Sequence, residues 1–177
     1  MEGGFQVGMS TMRNIKDTLD LWASGLLTAQ DVTEWAGREI GRLNDPPADL
    51  IDLAIDGPEV CLKRAQCDFP PRASKLRYVD EFAVRAVALD LSAPEAIRTF
   101  ADWASRSCMG EDMSEPFVAL GYQLDHLICD CQDGDAAEQL LRADLPDLLP
   151  RCWRLAERYS CAEQGATGGE SIRGLKA

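Results

Sequence analysis

The stretch GLLTAQDVTEWAGREIGRLNDPPADLIDLAIDGPE, Gly25 to Glu59, constrains the fold more than any other part of the chain. Thr28 with Asp31 three residues on has the spacing of an acidic capping box, in which cap and third helical residue satisfy each other's backbone N–H. Val32, Trp35, Ala36, Ile40 and Leu43 follow at helical steps and mark one buried face. Asn44-Asp45-Pro46-Pro47 ends this helix, since proline lacks the ladder N–H and restricts the residue before it. A second helix is predicted from about Pro47 to Asp56, burying Leu50, Leu53 and Ala54. Gly57-Pro58 breaks it, and a short helix from Pro58 to about Gln66 comes next.

The second helix carries an unusual charge pattern. Asp45, Asp49, Asp52, Asp56 and Glu59 recur at spacings of four, three, four and three, which predicts one acidic helical face. No Lys or Arg lies between Arg42 and Lys63 to neutralise it. Exposed like charges one turn apart repel by roughly 0.2–0.5 kcal/mol a pair. The face is therefore either a solvated outer surface or one kept for a partner of opposite charge, and Asp49 near the helix start also complements the macrodipole.

The rest of the chain repeats the helical pattern. A first helix is expected to start near Ser10 or Thr11, with Met12, Ile15, Leu19 and Trp22 on one stripe and Gly25 as its stop. Cys67 to Ser74, with Pro70 and Pro71, reads as loop. Lys75 to Leu91 is helical by pattern, with Tyr78, Phe82, Ala86 and Leu89 on one face. Ser92 is the expected cap of a helix burying Ile97, Phe100, Ala101, Ala104 and Cys108, and Ser114 opens another that carries Phe117, Leu120, Leu124, Leu127, Ile128 and Cys131. Asp133-Gly134-Asp135 is a turn, with Asp135 and Glu138 capping the next helix. Pro146 and Pro150 punctuate the region after Leu141, and a last helix carries Trp153, Ala156 and Tyr159. This makes eight or nine helices, with no convincing β alternation and no fixed-period repeat. The expected fold is all-α: a single-domain bundle or stack of helical hairpins over residues 1–163, with a Gly-rich, disordered tail over 164–177.

Charge narrows the partners. Thirty acids against 18 bases leave a net charge of -12, a field that repels phosphates and so disfavours nucleic acid and anionic membrane, and favours a basic partner. No apolar run approaches the ~20 residues of a membrane span. The opening MEGGFQVGMS lacks the basic and apolar regions of a secretory signal. The seven cysteines (Cys61, Cys67, Cys108, Cys129, Cys131, Cys152 and Cys161) are odd in number and several sit at apolar helical positions. They read as reduced thiols of a cytoplasmic protein.

No catalytic, metal or cofactor site is expected. His126 is the only histidine, so any imidazole chemistry passes through it. Cys129 at i+3 could meet it on an α-helix, yet adjacent turns of one helix seldom supply both nucleophile and base. Cys129-x-Cys131 puts its thiols on different α-helical faces, and no Cys-x-x-Cys occurs. Asp130 to Glu138 fails the calcium-loop register, because Gly134 falls where a ligand is required. Asp80-Glu81 and Asp144/Asp147 are the pairs on offer for acid–base work, and the first is weak because i,i+1 neighbours point apart on a helix. Phosphate loops, dinucleotide fingerprints and nucleophile elbows are lacking. Trp22, Trp35, Trp103 and Trp153 lie in apolar stripes and read as core.

The run Leu21-Trp22, Gly25-Leu26-Leu27-Thr28, Asp31-Val32, Trp35-Ala36, Ile40, Asp45-Pro46, Leu50 and Leu53-Ala54 resembles the opening of small all-helical bacterial proteins, some of which look like immunity proteins of polymorphic or contact-dependent toxin systems. The resemblance spans residues 19–59, consists mostly of caps and core positions, and carries over no catalytic residue. It implies a protein that binds a cognate toxin and occludes its active site. A basic nuclease cleft is one fit for Asp45, Asp49, Asp52, Asp56 and Glu59, with nearby apolar side chains as anchor. A non-enzymatic helical adaptor would use the same surface, and an enzyme or metal protein centred on His126 and Cys129 is the third alternative.

Overall fold

The computed structural model describes residues 13–64 and 69–159. The expected tail over 164–177, with Cys67 and Cys161, lies outside the described residues. The fold is all-helical, with seven α-helices and no strand among the described residues. In chain order they are α1 (Ile15–Ala23), α2 (Ala29–Ile40), α3 (Ala48–Arg64), α4 (Tyr78–Ala88), α5 (Pro94–Ser107), α6 (Pro116–Asp125) and α7 (Gly134–Ala156). A π turn (His126–Asp130) extends α6, and a 3-10 turn (Glu157–Tyr159) closes the described chain.

Local chemistry sets the helix ends. Asn14 caps α1 by accepting from the Asp17 N–H, while the expected starts Ser10 and Thr11 lie outside the described residues. At the other end, Gly25 at φ 74° lets its own N–H reach Trp22 O and that of Leu26 reach Leu21 O. This is a Schellman closure, and it buries Leu26. The Thr28–Asp31 capping box forms as expected: the Asp31 N–H donates to Thr28 Oγ1 at 3.1 Å and the Thr28 N–H to Asp31 Oδ2 at 2.7 Å. Other caps differ. Ser92 donates to Asp90 rather than capping α5, which starts from Ala93 with Pro94 in its first turn. Glu115, not Ser114, precedes α6, and Asp133, not Asp135, caps α7 by accepting from the Ala136 N–H.

The expected eight or nine helices reduce to seven for two reasons. Gly57 breaks the helical path as expected, at φ 75°, ψ 169°, but the two segments adjoin there with no loop between them and are counted together as α3. Pro146 and Pro150 lie inside α7 instead of dividing it. Both prolines face solvent, where water can satisfy the carbonyls they release, and the opposite face stays buried through Leu141, Leu145, Cys152 and Ala156.

Two hydrophobic clusters fill the molecule. One gathers Leu19, Leu21, Leu26, Val32, Trp35, Leu50, Leu53, Cys61 and Phe69 beneath α1–α3. The other gathers Phe82, Ile97, Phe100, Ala104, Phe117, Leu124, Leu141 and Leu145 from α4–α7. Helix α4 serves both: Val84 belongs to the first, while Phe82, Ala83 and Ala86 belong to the second. Trp35 is core as expected and Trp22 and Trp103 pack at the margins, but Trp153 is 51% exposed, because it shares a turn with Pro150 on the outer face of α7.

Polar groups join the layers. The buried Asp17 carboxylate accepts two bonds from Arg158, at 2.7 and 3.0 Å, across 141 positions of sequence. Asp20 accepts from the Ser74 N–H at 2.9 Å and pairs with Lys16. Where α4, α5 and α6 meet, the Tyr78 hydroxyl lies 3.2 Å from Phe117 O and 3.4 Å from Ala104 O, and its ring stacks on Trp103. Gly121 permits this approach: a Cβ there would fall 2.6 Å from the Tyr78 hydroxyl and 2.7 Å from Cys108 Cβ. Gly121→Ala is therefore expected to lower unfolding stability by about 1–3 kcal/mol through overpacking, whereas Gly37→Ala, with open space around its Cβ, should be neutral or stabilising. Urea titration of both variants followed by circular dichroism checks this.

Candidate protein-binding face

Helix α3 packs on α2 through Leu50 and Leu53, both buried. That contact leaves Ile51, Ile55 and Val60 turned outward, while Gly57, Pro58 and Cys61 are buried. Of the seven large hydrophobic side chains exposed on the described surface, four fall between positions 43 and 60: Leu43, Ile51, Ile55 and Val60. Ile55 is the most exposed of all, at 74%. Ile51 and Ile55 sit one turn apart, and Asp52 and Asp56 form the parallel row beside them. Apolar side chains in the open beside carboxylates are what an amphipathic contact surface requires, since isolated exposed hydrophobics are ordinary but grouped ones mark interaction sites.

The five acids of the sequence pattern do not all share the helix. Asp49, Asp52 and Asp56 lie on its uninterrupted first turns and are half-buried. Burial, and then the charges of Asp52 and Asp56, push the Cys61 thiol upward; Arg64 opposes them and Asp49 adds a smaller push. Asp45 lies exposed before the helix begins, and Glu59 lies exposed beyond the break at Gly57. The helical rhythm thus holds for three carboxylates and is interrupted for the outer two.

Gly57 adopts φ 75°, ψ 169°, a combination that a side chain all but forbids. The change of course lets Arg64, eight residues beyond Asp56, pair with it at 2.8 Å. Eight residues span roughly 12 Å of straight helix, well past the usual one-turn reach of such pairs. One acid of the face is therefore compensated from a distance that periodicity does not register. Gly57→Ala is expected to cost about 1–3 kcal/mol, from backbone strain alone, since the new Cβ would meet only Thr33 Cγ2 at an ordinary 3.6 Å. Thermal unfolding of the variant measures it.

The exposed apolar row was missed at the level of sequence, although it leaves a trace there: Ile51 and Ile55 repeat at i, i+4 outside the buried stripe of Leu50, Leu53 and Ala54. The imidazole region also differs from α-helical expectation. Cys129 does not meet His126; the π turn brings Cys131 to it instead, with Sγ 3.6 Å from Nε2. Cys129 bonds to Asp125, and that bond is the first cause of its raised thiol pKa. No group of three or more His, Cys, Asp or Glu able to hold a metal ion occurs among the described residues, and no described helix is long and apolar enough to cross a membrane. The five described cysteines form no disulfide. A cleft of about 630 Å³ lies between the α1–α2 turn and α4–α5, lined by Ser24, Lys75, Tyr78, Glu81, Arg85 and Trp103. Its Arg85 is engaged by Glu81 at 2.8 Å and lies over the Trp103 ring.

No family model, no curated protein and no solved structure matches the chain.

Proposed function

We propose that the chain is an immunity-type protein that binds a cognate bacterial toxin through the outer face of α3 and occludes its active site. The observation that carries the proposal is the pairing of exposed Ile51 and Ile55 with the carboxylates of Asp49, Asp52 and Asp56 on one helix. An amphipathic helix of this kind can seat its apolar row in a groove while its acids meet basic rims. The net charge of -12 adds long-range attraction toward a basic cleft, such as that of a nuclease, and disfavours nucleic acid itself as the ligand. Asp45 and Glu59 extend the acidic rim on either side. The resemblance of residues 19–59 to immunity-type proteins points the same way.

The two components have separable signatures. Charge at a rim acts mainly on association, while a buried apolar anchor acts on dissociation. With the purified toxin domain encoded beside the gene, combined Asp49→Asn, Asp52→Asn and Asp56→Asn is expected to slow association about tenfold or more at low salt. Ile55→Ala is expected to weaken binding by about 1–2 kcal/mol through faster dissociation. Both variants should keep the wild-type circular dichroism spectrum, because these side chains support no core. Surface plasmon resonance at two salt concentrations reads both effects. A toxin inhibited equally by wild type and both variants would remove the α3 face from the mechanism. A toxin that the wild type does not bind would favour a helical adaptor for another partner.

A further inference from the structure

The most developed chemistry outside the α3 face is the row Asp130, His126 and Cys131. It exists because the end of α6 is a π turn. The Cys131 N–H donates to His126 O at 3.0 Å, closing an i, i+5 ring that stacks Cys131 over His126, where an α-helix would have offered Asp130 alone. His126 Nδ1 lies 2.9 Å from Asp130 Oδ2, and Nε2 lies 3.6 Å from Cys131 Sγ. An ionised carboxylate only accepts, so Nδ1 carries the proton and Nε2 of the neutral ring is left as an acceptor facing the thiol. Acid and thiol address opposite nitrogens of one ring and cannot share a metal ion. The order carboxylate, imidazole, thiol is instead that of an activated nucleophile.

We propose that Cys131 is a thiol–disulfide exchange site for cationic low-molecular-weight disulfides, which the surrounding carboxylates attract, with His126 as its base and Asp130 as a positioning residue. His126 Nε2 takes the thiol proton, and the Cys131 sulfur attacks one sulfur of the disulfide. The S–S bond of the reagent breaks, and its second sulfur leaves with the bonding pair. The leaving thiolate then takes the proton from His126. The products are a mixed disulfide on Cys131 and one free thiol, and a second small thiol reverses the reaction.

The structure supplies its own control. Cys129 is also exposed and lies two residues away, but it bonds to Asp125. That carboxylate and the charge of Asp130 both favour the protonated thiol, against a weaker opposing effect of Arg106. A carboxylate partner holds the proton on sulfur, whereas an imidazole partner accepts it. Cys61, Cys108 and Cys152 are buried, and burial pushes Cys152 up to about 12.

The test uses the full chain, cystamine and peptide mass mapping over time. Cys131 is expected to acquire the cysteamine adduct about tenfold faster than Cys129. His126→Gln should bring Cys131 down to the rate of Cys129, with circular dichroism unchanged. Because His126 is the only histidine, a long-range proton–nitrogen spectrum reports a single ring. It should show the Nδ1–H tautomer in the wild type, and Asp130→Ala should shift it toward Nε2–H while slowing Cys131. Equal rates at Cys129 and Cys131, an unchanged rate in His126→Gln, or an Nε2–H ring in the wild type would each overturn the assignment.

Discussion

Burial of α4 on two sides is the constraint on which the rest of the architecture depends. A helix that offers Val84 to one cluster and Phe82, Ala83 and Ala86 to the other cannot lie at a surface. It must be covered twice, by α1–α3 with the 69–77 segment on one side and by α5–α7 on the other. Tyr78 fixes where this double coverage begins, because its buried hydroxyl needs partners and finds carbonyls on both α5 and α6. Helix α7, 23 residues and roughly 35 Å long, then runs past both clusters, contributing Leu141, Leu145 and Cys152 to one and Ala156 to the other.

Much of this was legible in the sequence because it depends on local chemistry. The Thr28–Asp31 box, the stop at Gly25, the Pro46-Pro47 break and the buried stripes of α2, α4 and α5 are each written within a few residues, except that Leu43, expected at the end of the α2 stripe, lies past the helix and is exposed. What was not legible depends on tertiary support. Pro146 and Pro150 read as breaks because a proline removes one ladder bond wherever it sits; whether the helix continues depends on the packing of Leu141, Leu145 and Cys152. Gly57-Pro58, by contrast, reads as an end and does interrupt the helical backbone; what the sequence does not show is that the second segment follows at once, close enough for Arg64 to reach Asp56.

The two candidate sites divide along the same line. Spacing on an ideal helix brought Asp49, Asp52 and Asp56 together. It overextended to Asp45 and Glu59, which lie beyond the ends of regular helix, and it could not register the reach of Arg64 back to Asp56. At His126 the assumption of 3.6 residues per turn pointed to Cys129, and a single wider turn substitutes Cys131. Periodicity locates a face, but the turns that depart from it decide which side chains touch.

The Asp17–Arg158 pair has a consequence for synthesis. Translation releases α1 well before α7, yet its buried carboxylate finds its guanidinium only when the chain has grown to residue 158, and Tyr159 and Ala156 complete the same cluster. The opening helices therefore leave the ribosome with an ion unpaired and an apolar wall unbuilt. Completion of the α1–α3 layer waits for residues 156–159, and during that interval its helices are the ones most in need of protection from aggregation.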